Sequence, residues 1–137
     1  MASAQLRRLQ RRLDAVPQAV KDAVKPALER SGQELVGQMQ NLAPEDSGDL
    51  KRSIVMTPGG SSTPAYSQPG GSMVVAENAV AITAGNKDVR YPHLVEYGTT
   101  DTEAQPYFWP AFRLMRRRLQ NRIKRSISKA VREGWTK

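Results

Sequence analysis

The sequence predicts an α+β domain: long N-terminal and C-terminal helices packed on a small, mainly antiparallel sheet of about three strands, with a long Gly/Ser/Pro loop. Three observations predict it. Apolar residues recur every three or four positions over residues 1–42 and again over 106–133, the period of an amphipathic helix. Short β-branched runs at 54–56 and within 73–86 lie between the two periodic stretches. At 137 residues the chain is long enough for one domain, 1–137, with a modest core.

The first stripe consists of Leu6, Leu9, Leu13, Val16, Val20, Val24, Leu28, Leu35, Val36, Met39 and Leu42. Pro17 and Pro26 interrupt it, because each removes a backbone donor and crowds the preceding turn. The expectation is a kink, or two consecutive helices with a break near one proline. Pro44 and Gly48 end the helix, and Asp46 or Ser47 is expected to cap a short turn beginning near Gly48 or Asp49. Residues 53–86 hold the strands, and the first is expected at 54–56. Residues 57–72, TPGGSSTPAYSQPGGS, offer no material for a core and are expected to form a long flexible loop. Its glycines precede neither a Gly-Lys-Ser/Thr triplet nor a helix, so it does not match a phosphate-binding loop. Residues 73–86 read as one long strand with a bulge, or as two strands turning at Glu77-Asn78.

Residues 91–97 read as a short helix, ended by Gly98 in the αL conformation, with an exposed polar loop over 99–105. Pro106 and Pro110 then set the start of the last helix, Pro110 near its first turn where a missing donor costs least. Phe108 and Phe112 are expected to anchor that helix on the core. Its stripe continues through Ala111, Met115, Leu119, Ile123, Ile127 and Val131, under a sleeve of lysine and arginine.

Charge divides the chain. Residues 1–42 carry seven Lys/Arg against four Asp/Glu, residues 43–105 four against eight, and residues 106–137 ten against one, within a net +8. A basic end beside an acidic middle fits either nucleic acid nearby or subunits meeting basic face to acidic face. The aromatic residues precede the basic stretch instead of interleaving with it, apart from Trp135. No helix-turn-helix, zinc-finger or RNP-like pattern appears, so only a non-specific DNA contact survives. There is no run of eighteen apolar residues, and the first residues carry no apolar stretch of the secretory kind.

Catalytic sets are not found. Without cysteine there are no disulfides, thiolate ligands or thiol nucleophiles. His93 is the sole histidine, and with Glu96 three positions on it offers at most two metal ligands. No G-x-S-x-G elbow accompanies the serines. Glu45, Asp46 and Asp49 lack the regular oxygen spacing of a calcium loop. The sequence therefore predicts a protein that is not an enzyme and has no cofactor or metal.

Three stretches carry a resemblance. LAPEDSGDLKRSI contains Ala43-Pro44, Asp46-Ser47-Gly48-Asp49-Leu50 and Ser53-Ile54. YPHLVEYGT contains Tyr91 and Val95-Glu96-Tyr97-Gly98-Thr99, and AQPYFWPAF contains Pro106, Phe108 and Pro110-Ala111-Phe112. In order and spacing, across about residues 42 to 113, they resemble the tail-completion (neck, or head-to-tail joining) family of long-tailed double-stranded DNA phages. Members typically show A-P-x-D-T-G-x-L-x-x-S-I, then Y-A-x-x-V-E-x-G-T, then Q-P-F-x-x-P-A before a final helix. This chain departs at Ser47, where threonine is usual, at Pro92, where alanine is usual, and at Tyr107-Phe108, which replaces a single aromatic.

The resemblance implies a structural virion protein of the head–tail connector. Such subunits form a homo-oligomeric ring, expected to be a hexamer, that joins the tail to the DNA-filled capsid. The implied partners are a tail terminator or tail tube protein, a portal-side stopper or adaptor, and double-stranded DNA passing non-specifically through the lumen, with no membrane. The implied location is the head–tail interface of the virion, and the host cytoplasm during assembly. The structural motif residues would be Pro44, Asp46, Gly48, Leu50, Tyr91, Glu96, Gly98, Thr99, Pro106 and Pro110. Arg116, Arg117, Arg118, Arg122 and Arg125 would line the lumen or make the subunit contact. The alternative is a cytoplasmic, non-specific nucleic-acid-binding protein.

Overall fold

A computed structural model describes residues 4–45 and 48–136; the side chains of residues 6, 9, 10, 12–17, 135 and 136 lie outside the description. The expectations for Leu6, Leu9, Leu13, Val16, Asp46, Ser47 and Trp135 therefore fall outside the described residues. The element order is α1 (Ala4–Leu42), α2 (Asp49–Ser53), β1 (Val55–Pro58), β2 (Val80–Thr83), α3 (Pro92–Tyr97) and α4 (Phe108–Thr136). Two long helices flank a small antiparallel sheet, the predicted α+β arrangement.

Of the two expectations for the first helix, the division into two consecutive helices does not occur. Helix α1 runs 39 residues without interruption, about 58 Å. Pro26 lies on its exposed side, so the carbonyl left without a donor four residues earlier faces water instead of the core. The remaining helical bonds, and packing along the second half, outweigh the two bonds lost at Pro17 and Pro26. Helix α4, 29 residues, lies antiparallel to α1: Ser31 and Glu34 meet Arg122, while Leu35 and Met39 share a core with Leu119, Ala111 and Phe108. Met39 and Ala111 are fully buried at the centre of that seam.

The sheet has two strands instead of about three. β1 and β2 pair antiparallel in the register Val55↔Thr83, Met56↔Ile82, Thr57↔Ala81 and Pro58↔Val80. Of the two readings of 73–86, the turn at Glu77-Asn78 is the one adopted, closed by the Ala79 amide on the Ala76 carbonyl at 3.1 Å. The segment before the turn does not form a full strand. It pairs back on residues 60–63 through a single bridge, Ser62↔Val74.

Residues 59–75, which include most of the predicted 57–72 loop, form an arm folded by its own backbone bonds. Gly60 N donates to Val75 O, Val75 N to Ser61 O, and Thr63 N to Met73 O, at 2.8–2.9 Å. Thr63 Oγ1 accepts from Met73 N at 2.8 Å, and Ser72 Oγ donates to Thr63 O at 3.0 Å. The far end folds back, where Gln68 and Ala84 exchange both backbone bonds. Arg90 lies 4.0 Å over the Tyr66 ring. Thr63, Ser67 and Val75 are consequently buried. Apart from Ser67 Oγ, which is buried without a hydrogen-bond partner, polar side chains and backbone groups bond to one another here in place of an apolar core. Gly59 is required at the base of the arm, since a Cβ there would overlap the carbonyl oxygens of Ala76 and Glu77.

Candidate functional site

The aromatic and proline-rich stretch 91–112 is a joint that fixes the start of α4. Helix α3 begins on Pro92, at the first helical position, where its missing N–H has no helical partner to lose. The Pro92 ring is buried against Gly85, so the departure from the usual alanine is accommodated. Gly98 N closes α3 on Leu94 O at 2.8 Å. Gly98 has φ 75° and ψ 177°. The predicted αL angle is thus replaced by a fully extended positive-φ conformation, which is almost confined to glycine. A Cβ at this position would lie 2.8 Å from Ala104 N and 2.9 Å from Thr102 O. Thr99 Oγ1 accepts from Asp101 N and Thr102 N, shaping the exposed loop, and Gln105 N returns to Val95 O at 2.8 Å.

Glu96 is the centre of the joint. Its side chain is buried, and Oε1 accepts from Tyr107 N at 3.0 Å and from Phe108 N at 2.8 Å, while Oε2 accepts from Trp109 N at 3.4 Å. A helix N-terminus leaves four backbone donors without partners. Glu96 takes the donors of residues 107, 108 and 109, and Pro110 at the fourth place has none to offer. All four places are thereby accounted for by two residues. The carboxylate also sits at the positive end of the α4 dipole, the favourable end for an anion. Burial of a charged group, normally costly, is offset by these bonds.

The neighbouring aromatic groups complete the joint. Tyr107 is almost wholly buried, and its hydroxyl donates to Pro92 O at 3.3 Å. Burial pushes that hydroxyl above the ordinary tyrosine range, and the Glu96 charge and then Tyr91 push it further. Trp109 packs edge-on to Phe108 and Phe112, and its Nε1 donates to Tyr97 Oη at 2.7 Å. Phe108 is buried as expected, but Phe112 is 37% exposed and does not anchor the core.

The fold brings most motif residues together. Pro44, Gly48, Leu50, Tyr91 and Thr99 border one cleft of about 250 Å³, next to the joint formed by Glu96, Gly98 and Pro110. Gly48, at φ 82°, stands at the N-cap of α2 without a side-chain cap, and Asp46 lies outside the described residues. Pro106 is exposed just ahead of α4. Ser53 ties the first motif to the segment just after β2: Gly85 N donates to Ser53 Oγ at 3.1 Å, and Ser53 Oγ donates to Leu50 O at 2.7 Å. His93 is exposed while Glu96 is engaged with α4. Among the described residues no group of three or more His, Asp or Glu side chains could hold a metal ion, and no helix is long and apolar enough to cross a membrane.

The five arginines of α4 are not one group. Arg122 Nη2 meets Glu34 Oε1 of α1 at 2.7 Å, Arg122 Nη1 reaches Ser31 Oγ at 3.4 Å, and Arg118 Nε lies 3.6 Å from Glu34 Oε2. Only 15% of the Arg122 side chain is exposed. The Arg122 hydrogen bond holds the Glu34 carboxyl below the ordinary glutamate range against the opposing effect of burial, with the Arg122, Arg118 and Arg30 charges helping. Arg122 therefore clamps α4 to α1, and the exposed Arg118 adds a longer ion pair to the same carboxylate. Arg117 and Arg125 are exposed and have no acidic partner among the described residues. Arg116, also exposed, lies on the wall of an apolar groove.

Sequence reasoning missed Glu34 and the capping role of Glu96. The signal for the first was an acid beside Leu35 within the α1 stripe and an arginine beside Ile123 in the α4 stripe. For the second there was no local signal, because the cap comes from eleven to thirteen residues upstream.

In comparison with known proteins, the family model HK97-gp10-like, described as "Bacteriophage HK97-gp10, putative tail-component", matches residues 7–98. That span runs from α1 through α3 to Gly98 and stops before α4. No curated protein and no solved structure matches the chain.

Proposed function

Because the chain belongs to the HK97-gp10-like family of bacteriophage tail components, we propose that it occupies the tail-completion, or neck, position of the head–tail connector. As a phage tail component it is a structural protein of the virion. In this reading copies of the chain form a ring, taken as a hexamer, that joins the tail to the DNA-filled capsid and lets DNA pass through its lumen. One side meets the tail terminator or tail tube, the other a portal-side stopper or adaptor. The subunits assemble in the host cytoplasm, and the role is mechanical, not catalytic.

The observation that carries this reading is the outward face of α4. Arg117, Lys124, Arg125 and Arg132 are exposed on a helix whose start is capped by Glu96 and whose middle is clamped by Glu34. A cationic rod held at two points suits a lumen wall that touches phosphates without reading bases. The same face suits a neighbouring subunit's acidic middle, and charge reversal separates the two. Arg117→Glu with Arg125→Glu should leave the ring intact and impair DNA retention or passage. Loss of the ring itself would instead assign these residues to the subunit contact. A purified protein that binds DNA tightly at physiological salt would contradict a passive wall, because such a wall must let DNA slide.

A further inference from the structure

Two apolar surfaces of this chain are left uncovered, and they complement each other. The first follows from the geometry of α4. Successive four-residue steps advance about 40° around a helix. The series Leu119, Ile123, Ile127, Val131 therefore winds away from α1, while the buried line continues through Ala130. Ile127 and Val131 are 40% and 45% exposed. Beside them runs a groove of about 460 Å³ between α1, β2 and α4, walled by Leu28, Val80, Ile82, Phe112 and Ile123, with Arg116 on its wall. A second hollow of about 190 Å³ shares Leu28, Asn78 and Ile123 and extends the groove toward Val20 and Ile127. The result is elongated and apolar, the shape of an extended segment.

The second surface is the arm. Val74 is 72% exposed and Met73 54%, adjacent on a segment held extended by its bonds to Ser61 and Thr63. Neither residue lines the groove of its own chain, although Pro69 and Asn78, on either side of them in sequence, do. Between residues 58 and 86 the single charged side chain is Glu77. The arm thus presents two apolar side chains with one negative charge nearby, and the groove presents apolar walls with a cation.

We propose that the Met73–Val74 edge of the arm docks in the α1/β2/α4 groove of a second copy of this chain, with Glu77 directed toward the Arg116 side. The two patches differ, so the contact is head-to-tail, and repetition closes a ring when the rotation between copies allows it. This rests on the ring reading above and assigns its subunit contact. It places the interface on the groove flank of α4 and leaves the Arg117 and Arg125 face outside it.

The test measures the mass of the full-length protein in solution against concentration. Val74→Arg puts a cation against the Arg116 wall. With the side chain exposed in the free chain, unchanged circular dichroism is expected, and association should weaken by about 30-fold or more, as for loss of an interface hot spot. Phe112→Arg blocks the groove and should do the same, with Ile127→Arg as the second groove variant if Phe112→Arg disturbs the fold. Mixing the arm and groove variants leaves one good contact, so a one-to-one heterodimer and nothing larger should form. Wild-type-like oligomers of Val74→Arg would overturn the docking and leave the ring standing. Stable dimers of Val74→Arg alone, or a mixture that fails to pair, would also overturn the docking. A wild-type chain that stays monomeric at every concentration would overturn both the docking and the ring.

Discussion

Glu96 decides where α4 begins, and its substitution should be among the most damaging single changes. Glu96→Ala leaves the buried amides of Tyr107 and Phe108 without an acceptor. At about 1–3 kcal/mol for each orphaned donor, a loss of about 3 kcal/mol or more is expected in chemical denaturation. Glu96→Gln keeps one carbonyl oxygen for those two donors but turns an amide NH2 toward Trp109, so about half that loss is expected. Equal stability of both variants would refute the capping role. Tyr107 gives a pH signature. Its hydroxyl is harder to ionise in the fold than in the open chain. Its contribution is therefore fully present below about pH 10, the ordinary tyrosine value, and is lost as pH rises through the elevated folded value. Tyr107→Phe should flatten that alkaline loss in pH-dependent melting, while costing about 1 kcal/mol at neutral pH for the bond to Pro92 O. Glu96 was legible as a motif residue but its task was not, because helix caps are sought beside the helix and this one comes from α3.

The long elements were read from their period, and the errors follow from what a period omits. The prolines inside α1 were read as a kink or a break because the lost bonds are visible in sequence, whereas the packing that keeps one continuous helix is not. The segment 57–72 was read as a long flexible loop because the arm's order lies in backbone bonds such as Gly60 to Val75, which no side-chain pattern encodes. The α4 stripe was read as one line to Val131. Burial follows α1 only as far as Leu119 and then continues through Ala130, since two packed helices share a line that a strict four-residue step does not follow. The clamp between the helices makes a prediction of its own. Glu34 is held more acidic in the fold by Arg122. Its stabilising contribution is thus present above the ordinary glutamate value and is lost as pH falls through the depressed folded value. Glu34→Gln should lower the melting temperature at neutral pH and bring the variant level with the wild type in acid. A constant difference across the range would show that the clamp does not depend on charge.

At the scale of the molecule, charge, shape and chemistry point one way. The cations of α4 divide between Arg122, largely buried against Glu34 with the exposed Arg118 beside it, and an outer row open to other molecules. The arm and groove supply two unlike surfaces, as head-to-tail assembly requires. The buried carboxylate is used for position, its oxygens tied to the backbone amides at the start of α4. A molecule held in place that presents a charged surface suits the proposed joint between capsid and tail. The most direct test is electron microscopy of the particles produced when the gene for this chain is deleted. The account predicts DNA-containing heads and separate, finished tails that fail to join, restored when the chain is supplied in trans. Normal joined particles from the deletion strain would contradict it.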